Sequence, residues 1–109
     1  MSRAKGNRAE ELACGFLYDM GFEIVERNFY SRFGEIDIIT FKDGVLHFVE
    51  VKSGEDYESA LQNITPLKLS RLIKTGEIYM KKNNFDIDFV YDAVIVSGES
   101  VEFVENITM

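Results

Sequence analysis

A chain of 109 residues with 46% hydrophobic and 28% charged side chains has the size of one domain with a real core, and residues 1–109 read as a single unit. No apolar run approaches the roughly 20 residues that cross a bilayer, and the basic start MSRAKGNRAEEL lacks the apolar segment of a signal peptide. The single cysteine, Cys14, excludes an intrachain disulfide and fits a reducing cytoplasm. The net charge of −7 argues at first against nucleic acid, but it is unevenly spread. Residues 1–82 hold all 12 bases and 13 acids, whereas residues 83–109 hold six acids and no base. A locally positive patch outside the C-terminal end can still attract phosphate, in a salt-sensitive way.

The spacing predicts a helix over Asn7–Met20, with Ala9, Leu12, Ala13, Phe16, Leu17 and Met20 on one stripe and Gly21 as its C-cap. Glu10 borders that stripe. Phe22–Phe29 alternates as a strand, with Phe22, Ile24 and Glu26 on one side. Asn28–Phe33 reads as a loop with exposed Phe29 and Tyr30 beside Arg32, an aromatic and basic combination that can touch a nucleic-acid strand. Two strands follow, Ile36–Phe41 and Val45–Val51, and then a polar stretch, Ser53–Asn63, that reads as a loop or short helical turn. Thr65 as N-cap and Pro66 at the first position open a helix to Lys82. Its stripe is Leu69, Leu72, Ile73, Gly76 and Met80, with Lys68 beside it and Arg71 further out, both placed to reach a phosphate lying over the sheet. Asp88–Val96 is an apolar strand and Val101–Ile107 an edge strand after the turn Ser97-Gly98-Glu99. The order α-β-β-β-α-β-β predicts an α/β fold, helices packed on a mixed central sheet.

The stretch Gly34–Gly54 can be built by counting. Asp43-Gly44 is a strong two-residue turn signal, because both central residues of a type I′ turn need positive φ. That turn sets Lys42 opposite Val45, and hence Asp37 opposite Glu50 and Glu35 opposite Lys52. Facing residues share a side, with Cβ atoms roughly 5 Å apart. One face then carries Glu35, Asp37, Ile39 and Phe41 with Leu46, Phe48, Glu50 and Lys52; the other carries Ile36, Ile38, Thr40, His47, Val49 and Val51. Two carboxylates held that close repel unless a cation or proton intervenes. Their oxygens suit Mg²⁺ or Mn²⁺, and Lys52 beside them can hold a water or offset charge on a phosphate. The bland alternative is a surface ion-pair ladder, Glu35 to Lys52, with Asp37 and Glu50 merely exposed.

An ordered set of residues carries a family resemblance. Gly6, Ala9, Glu10, Ala13, Leu17, Gly21 and Asn28 are followed by Arg32-Phe33-Gly34-Glu35-Ile36-Asp37, by Phe48-Val49-Glu50-Val51-Lys52, and by Thr65, Lys68, Arg71, Leu72 and Tyr79. In these the chain resembles the YraN-like family of small bacterial proteins, predicted endonuclease-like members of the PD-(D/E)XK nuclease superfamily that are similar to archaeal Holliday junction resolvases. The resemblance implies a restriction-endonuclease-like αβββαβ core with an extra C-terminal edge strand. It implies Asp37 and Glu50 as metal ligands with the Val51 carbonyl, Lys52 as the catalytic lysine, and Glu10 holding a metal-bound water. It implies Lys68 at the site or on phosphate. The expected activity is Mg²⁺- or Mn²⁺-dependent hydrolysis of DNA, branched or otherwise structured, and a junction-resolving role would call for a homodimer. The sequence departs from the family pattern at Gly54, where an arginine is usual, at Val90-Tyr91-Asp92, where Arg-Phe-Asp is usual, and at Gly76, where alanine is usual. The two absent arginines keep a non-cleaving nucleic-acid-binding module in play, and the acidic C-terminal edge a protein-interaction domain.

Overall fold

A computed structural model describes residues 2–108, and of residues 2–7 the backbone alone. Its elements are α1 (Ser2–Asp19), β1 (Glu23–Ser31), β2 (Gly34–Lys42), β3 (Val45–Gly54), α2 (Tyr57–Gln62), α3 (Pro66–Lys82), β4 (Asp88–Ser97) and β5 (Ser100–Val104). The strands form one sheet in the order β1-β2-β3-β4-β5. Every neighbouring pair is antiparallel except β3 and β4, which run parallel from Val45↔Asp88 to Gly54↔Ser97. The crossover between them carries α2 and α3. This is the expected αβββαβ core on a mixed sheet, with β5 as the extra edge strand.

Side-chain alternation divides the core into two layers. Ile38, Val49 and Val94 meet Ala9, Ala13 and Leu17 of α1 on one face. On the other, Ile39, Leu46, Phe48 and Tyr91 meet Leu72, Tyr79 and Met80 of α3, and Ala93 and Ile95 meet Ala60 of α2. The α1 stripe is narrower than the spacing predicts. Leu12 and Met20 stay 38% exposed, because the sheet is approached along the single i, i+4 row Ala9-Ala13-Leu17. The helix also begins earlier, at Ser2. Helix α3 starts as predicted, with Thr65 Oγ1 accepting from the Lys68 N–H at 3.3 Å. Its buried face is rotated toward Thr75 and Tyr79, leaving Leu69 and Ile73 only half-buried. Thr75 is tolerated there because its hydroxyl bonds the Arg71 carbonyl at 2.9 Å and Ser31 Oγ at 2.8 Å.

Strand β1 corrects the sequence reading in two places. A bulge between Ile24 and Glu26 leaves Val25 outside, so Ile24 and Glu26 lie on opposite faces. The strand also continues to Ser31. Phe29 is therefore core, with its ring edge-on to Tyr79 at 5.0 Å, whereas Tyr30 is exposed. The stretch after β3 folds as the short helix α2, capped by Asp56, whose carboxylate accepts from the Ser59 N–H at 2.8 Å. Strand β5 stops at Val104 rather than Ile107, because the chain turns back over β4. There the Asn106 N–H donates to buried Asp92 and the Ile107 N–H to the Tyr91 carbonyl, both at 2.8 Å. Asp92 also takes His47 Nδ1 at 2.5 Å, a buried pairing on the α1 face that no sequence spacing announces. Among the described residues no helix is long and apolar enough to cross a membrane.

Two of the departures from the family pattern acquire packing causes. At Gly54 an added Cβ would lie 3.2 Å from the backbone nitrogen and Cβ of Ala60, so α2 occupies the place where a side chain would grow. At Gly76 an added Cβ would lie 2.3 Å from the Tyr91 hydroxyl and 2.7 Å from its ring. That hydroxyl donates to the Ile73 carbonyl at 3.0 Å. Gly76 and Tyr91 are thus one adjustment: the phenol oxygen and the ring edge together fill the room a methyl would take. Gly76→Ala is expected to destabilise the protein by about 1–3 kcal/mol through overpacking, and Tyr91→Phe to relieve only part of that loss in Gly76→Ala/Tyr91→Phe, because the ring carbons at 2.7 and 2.8 Å remain in the way. Urea unfolding of the four members of this cycle checks the coupling.

Candidate functional site

The β2–β3 ladder follows the counted register from Lys42↔Val45 to Ile38↔Val49 and then ends. Beyond that point β3 stays with β4 while β2 departs. The expected backbone pairs Asp37↔Glu50 and Glu35↔Lys52 do not form, because the Val51 N–H turns to Asp37 Oδ2 at 2.7 Å instead of to a backbone carbonyl. The same point is irregular on the β1 side. Arg27 and Ile38 are a pair facing α1, and Phe29 and Ile36, two residues along, are a pair beneath α3. A period-two ladder cannot do this. The inversion falls at Asn28, whose φ is +54°, and at Asp37 opposite it, an Asn being among the residues that tolerate the left-handed region. Strict alternation over Ile36, Ile38 and Thr40 is corrected accordingly.

The parted strands open a cleft of about 290 Å³ between α1 and α3. Asp37, Glu50, Val51 and Lys52 line its floor, Glu10 comes from α1, and Lys68 and Arg71 come from α3. Asp37 is only 7% exposed. Burial, then the charge of Glu50 beside it and a hydrogen bond with that carboxyl, push its pKa up to about 9. The Val51 N–H works in the opposite direction, and Glu10 adds to the rise. The ionised form of Asp37 is therefore disfavoured beside Glu50. Lys52 Nζ lies 3.8 Å from Glu50 Oε1, so its nearest acid is Glu50 and not Glu35.

Glu10 does reach the acids, and the sequence does not show what holds it there. Asn28 Nδ2 donates to Glu10 Oε1 at 3.1 Å and to Glu35 Oε2 at 3.4 Å. Arg27 lies 3.6 Å from Glu10 and also donates to Glu11. The signal that could have found Asn28 is an asparagine inside a strand pattern, where it is disfavoured. Arg32 is not among the residues lining the cleft. It stands at the β1–β2 turn over the Phe33 ring, 4.9 Å from its centroid, with Lys74 at 5.2 Å from the same ring.

The donor set at the floor is hard oxygen: two adjacent carboxyls, with the backbone of Val51 between Glu50 and Lys52. Among the described residues no group of three or more His, Cys, Asp or Glu side chains converges as a cation cage. Two carboxyls side by side are oxygen donors of the kind that hard divalent ions take.

A carboxyl whose folded pKa lies above its ordinary 3.8 binds its proton more tightly in the native state. The stability tied to that proton is full below the unfolded value and is lost as pH rises toward about 9. In chelator, Asp37→Asn keeps an acceptor for the Val51 N–H and removes the titration. The variant is expected to melt above the parent at about pH 8 and closer to it at about pH 5, as read by thermal denaturation across pH.

Comparison with known proteins places this cleft inside one family. The profile described as "Uncharacterised protein family UPF0102" matches residues 9–96, a span that includes all the cleft residues named above. A "UPF0102 protein" of Sulfurimonas denitrificans is 62% identical over 109 residues, with both chains covered in full. "UPF0102 protein WS0451" of Wolinella succinogenes is 58% identical, again over the whole of both chains. "UPF0102 protein HPG27_782" of Helicobacter pylori is 57% identical over 97% of this chain and 92% of its own. With the profile spanning most of its length and relatives matching it end to end, the chain belongs to the UPF0102 family.

Proposed function

We propose that the cleft binds the phosphodiester backbone of DNA on a nuclease-like α/β scaffold. The observation that carries this reading is the meeting of Lys52, Lys68 and Arg71 over one concave floor. Lys68 and Arg71 are one helical turn apart and exposed, so both ammonium and guanidinium can face a strand lying on the sheet. None of the six acids of residues 83–109 lines the cleft, but Glu10, Glu35, Asp37 and Glu50 do. Binding in this mode therefore asks for a proton or divalent cation on the floor beside the three bases.

Hydrolysis is the second reading, favoured by the Asp37–Glu50 pair. Asp37, Glu50 and the Val51 carbonyl would hold Mg²⁺ or Mn²⁺, consistent with the resemblance to PD-(D/E)XK nucleases. Such an ion supplies a more acidic water and offsets charge on the phosphate. Lys52, next to Glu50, would hold the attacking water in place and donate to a phosphate oxygen as charge builds there. Glu10, fixed by Asn28, would accept a proton from that water. Lys68 and Arg71 keep the strand in register. In-line attack leaves a 5′-phosphate. Cutting both strands of a branched substrate takes two such sites, so a two-fold dimer belongs to this reading.

The two readings separate experimentally. Lys68→Ala/Arg71→Ala is expected to weaken binding of labelled DNA and to lower the slope of affinity against salt, by about 0.7–0.9 for each phosphate no longer held. Fluorescence anisotropy with Ca²⁺ in place of Mg²⁺ measures it. On a panel of single-stranded, duplex, flap and four-way DNA with Mn²⁺, hydrolysis predicts cutting by the parent and at least a hundredfold loss in Lys52→Ala, on the order of one removed transition-state donor. Binding without any cutting on that panel leaves the non-cleaving module.

A further inference from the structure

We propose that the DNA track continues beyond the cleft onto α1, where Arg8 takes the phosphate next to the one held by Lys52, Lys68 and Arg71. This extends the reading of the cleft as a phosphodiester site and rests on it. A second groove of about 180 Å³ runs along the end of β3, with Arg8 on its α1 side and the turn at Gly98 on the other. It shares Ala9 and Ser53 with the cleft, so the two depressions form one trough across the sheet rather than separate hollows.

The floor of the shared part is built to let a backbone pass. Ala9 and Ser53 present no side chain larger than a hydroxymethyl, and the rest of the groove beside Arg8 is lined by Gly54, Gly98, Leu12 and Val96. A Cβ on Gly54 would meet Ala60 of α2, which does not line the groove. Ser53 adds a hydroxyl at the junction of the two depressions, a donor suited to a phosphate oxygen.

Charge follows the same line. Arg8 is exposed and lines the second groove, and residues 2–8 contain three bases and no acid. The next acid along, Glu10, faces the cleft and is held by Asn28 at 3.1 Å. Glu55 and Glu99 follow Gly54 and Gly98 in the chain, yet neither lines the groove. Cations therefore succeed one another along the trough from Lys68 and Arg71, over Lys52, to Arg8. A guanidinium there can grip two phosphate oxygens at once, which an ammonium cannot do.

The test uses the full chain and fluorescein-labelled single-stranded DNA of increasing length, with Ca²⁺ in place of Mg²⁺. Arg8→Ala should weaken binding several-fold and lower the salt slope by about 0.7, the value for one phosphate on a single strand. It should also cancel the affinity gained when the oligonucleotide is lengthened past the cleft. Arg8→Lys should keep the slope while losing part of the affinity, and Lys81→Ala, at the far end of α3, should change neither. Thermal melts of each variant separate a folding defect from a weakened grip on phosphate, and Arg8→Lys carries the test if Arg8→Ala does not fold. If Lys68→Ala weakens binding and Arg8→Ala does not, the extension is overturned and the cleft reading stands. If the parent binds no DNA at all, both fall together.

Discussion

The hydrogen bond from the Val51 N–H to the Asp37 carboxyl is the contact on which the architecture of the site turns. In a regular sheet that N–H would meet a backbone carbonyl of β2 and the two strands would close. Given to a side chain instead, it satisfies the donor while releasing β2 from β3. The opening would be costly if it exposed unpaired backbone. It is tolerated because β3 remains fully paired with β4 on its other side, through to Gly54 and Ser97. The parallel β3–β4 pair is the fixed wall, and the hairpin is the half that yields.

The electrostatics follow from that geometry. Asp37 is drawn into the gap between strands and loses its water, and Glu50 arrives beside it from the fixed wall. One carboxyl near the other in a sparsely solvated place disfavours two negative charges. The surrounding bases come from elements that owe their position to unrelated packing: Lys68 and Arg71 from α3, seated through Leu72 and Tyr79, and Arg8 from α1, seated through Ala9 and Ala13. Of the six acids after residue 82, Asp86, Asp88 and Asp92 belong to β4 and the segment before it and Glu99, Glu102 and Glu105 to β5 and its flanks, all outside the cleft. A protein of net charge −7 can in this way still gather four of its 12 bases along one depression.

Much of this is legible in the chain. Asp43-Gly44 sets the register of the hairpin as far as Ile38 and Val49, and Thr65-Pro66 places the start of α3 to the residue. Counting also brings Asp37 to Glu50, though through backbone pairs that do not exist. What it misses has a common physical origin. Periodicity assumes an unbroken ladder, and the bulge at Val25 and the left-handed Asn28 break it twice in one strand. Phe29 therefore reads as exposed although it is core. Thr75 is left out of the predicted stripe of α3 because its partner for burial, Ser31, is distant in sequence. The His47–Asp92 pair joins strands through a parallel crossover that no local pattern encodes.

The fit between Gly76 and Tyr91 bears on how closely helix and sheet approach each other. Against an alanine the ring carbons of residue 91 would lie 2.7 and 2.8 Å from the methyl, with or without the hydroxyl, so the ring itself would have to stand further from the helix. With glycine there the ring settles against α3 and its hydroxyl reaches the Ile73 carbonyl at 3.0 Å. The bare spot on the helix thus governs how near the neighbouring strand can lie, whatever the ring carries.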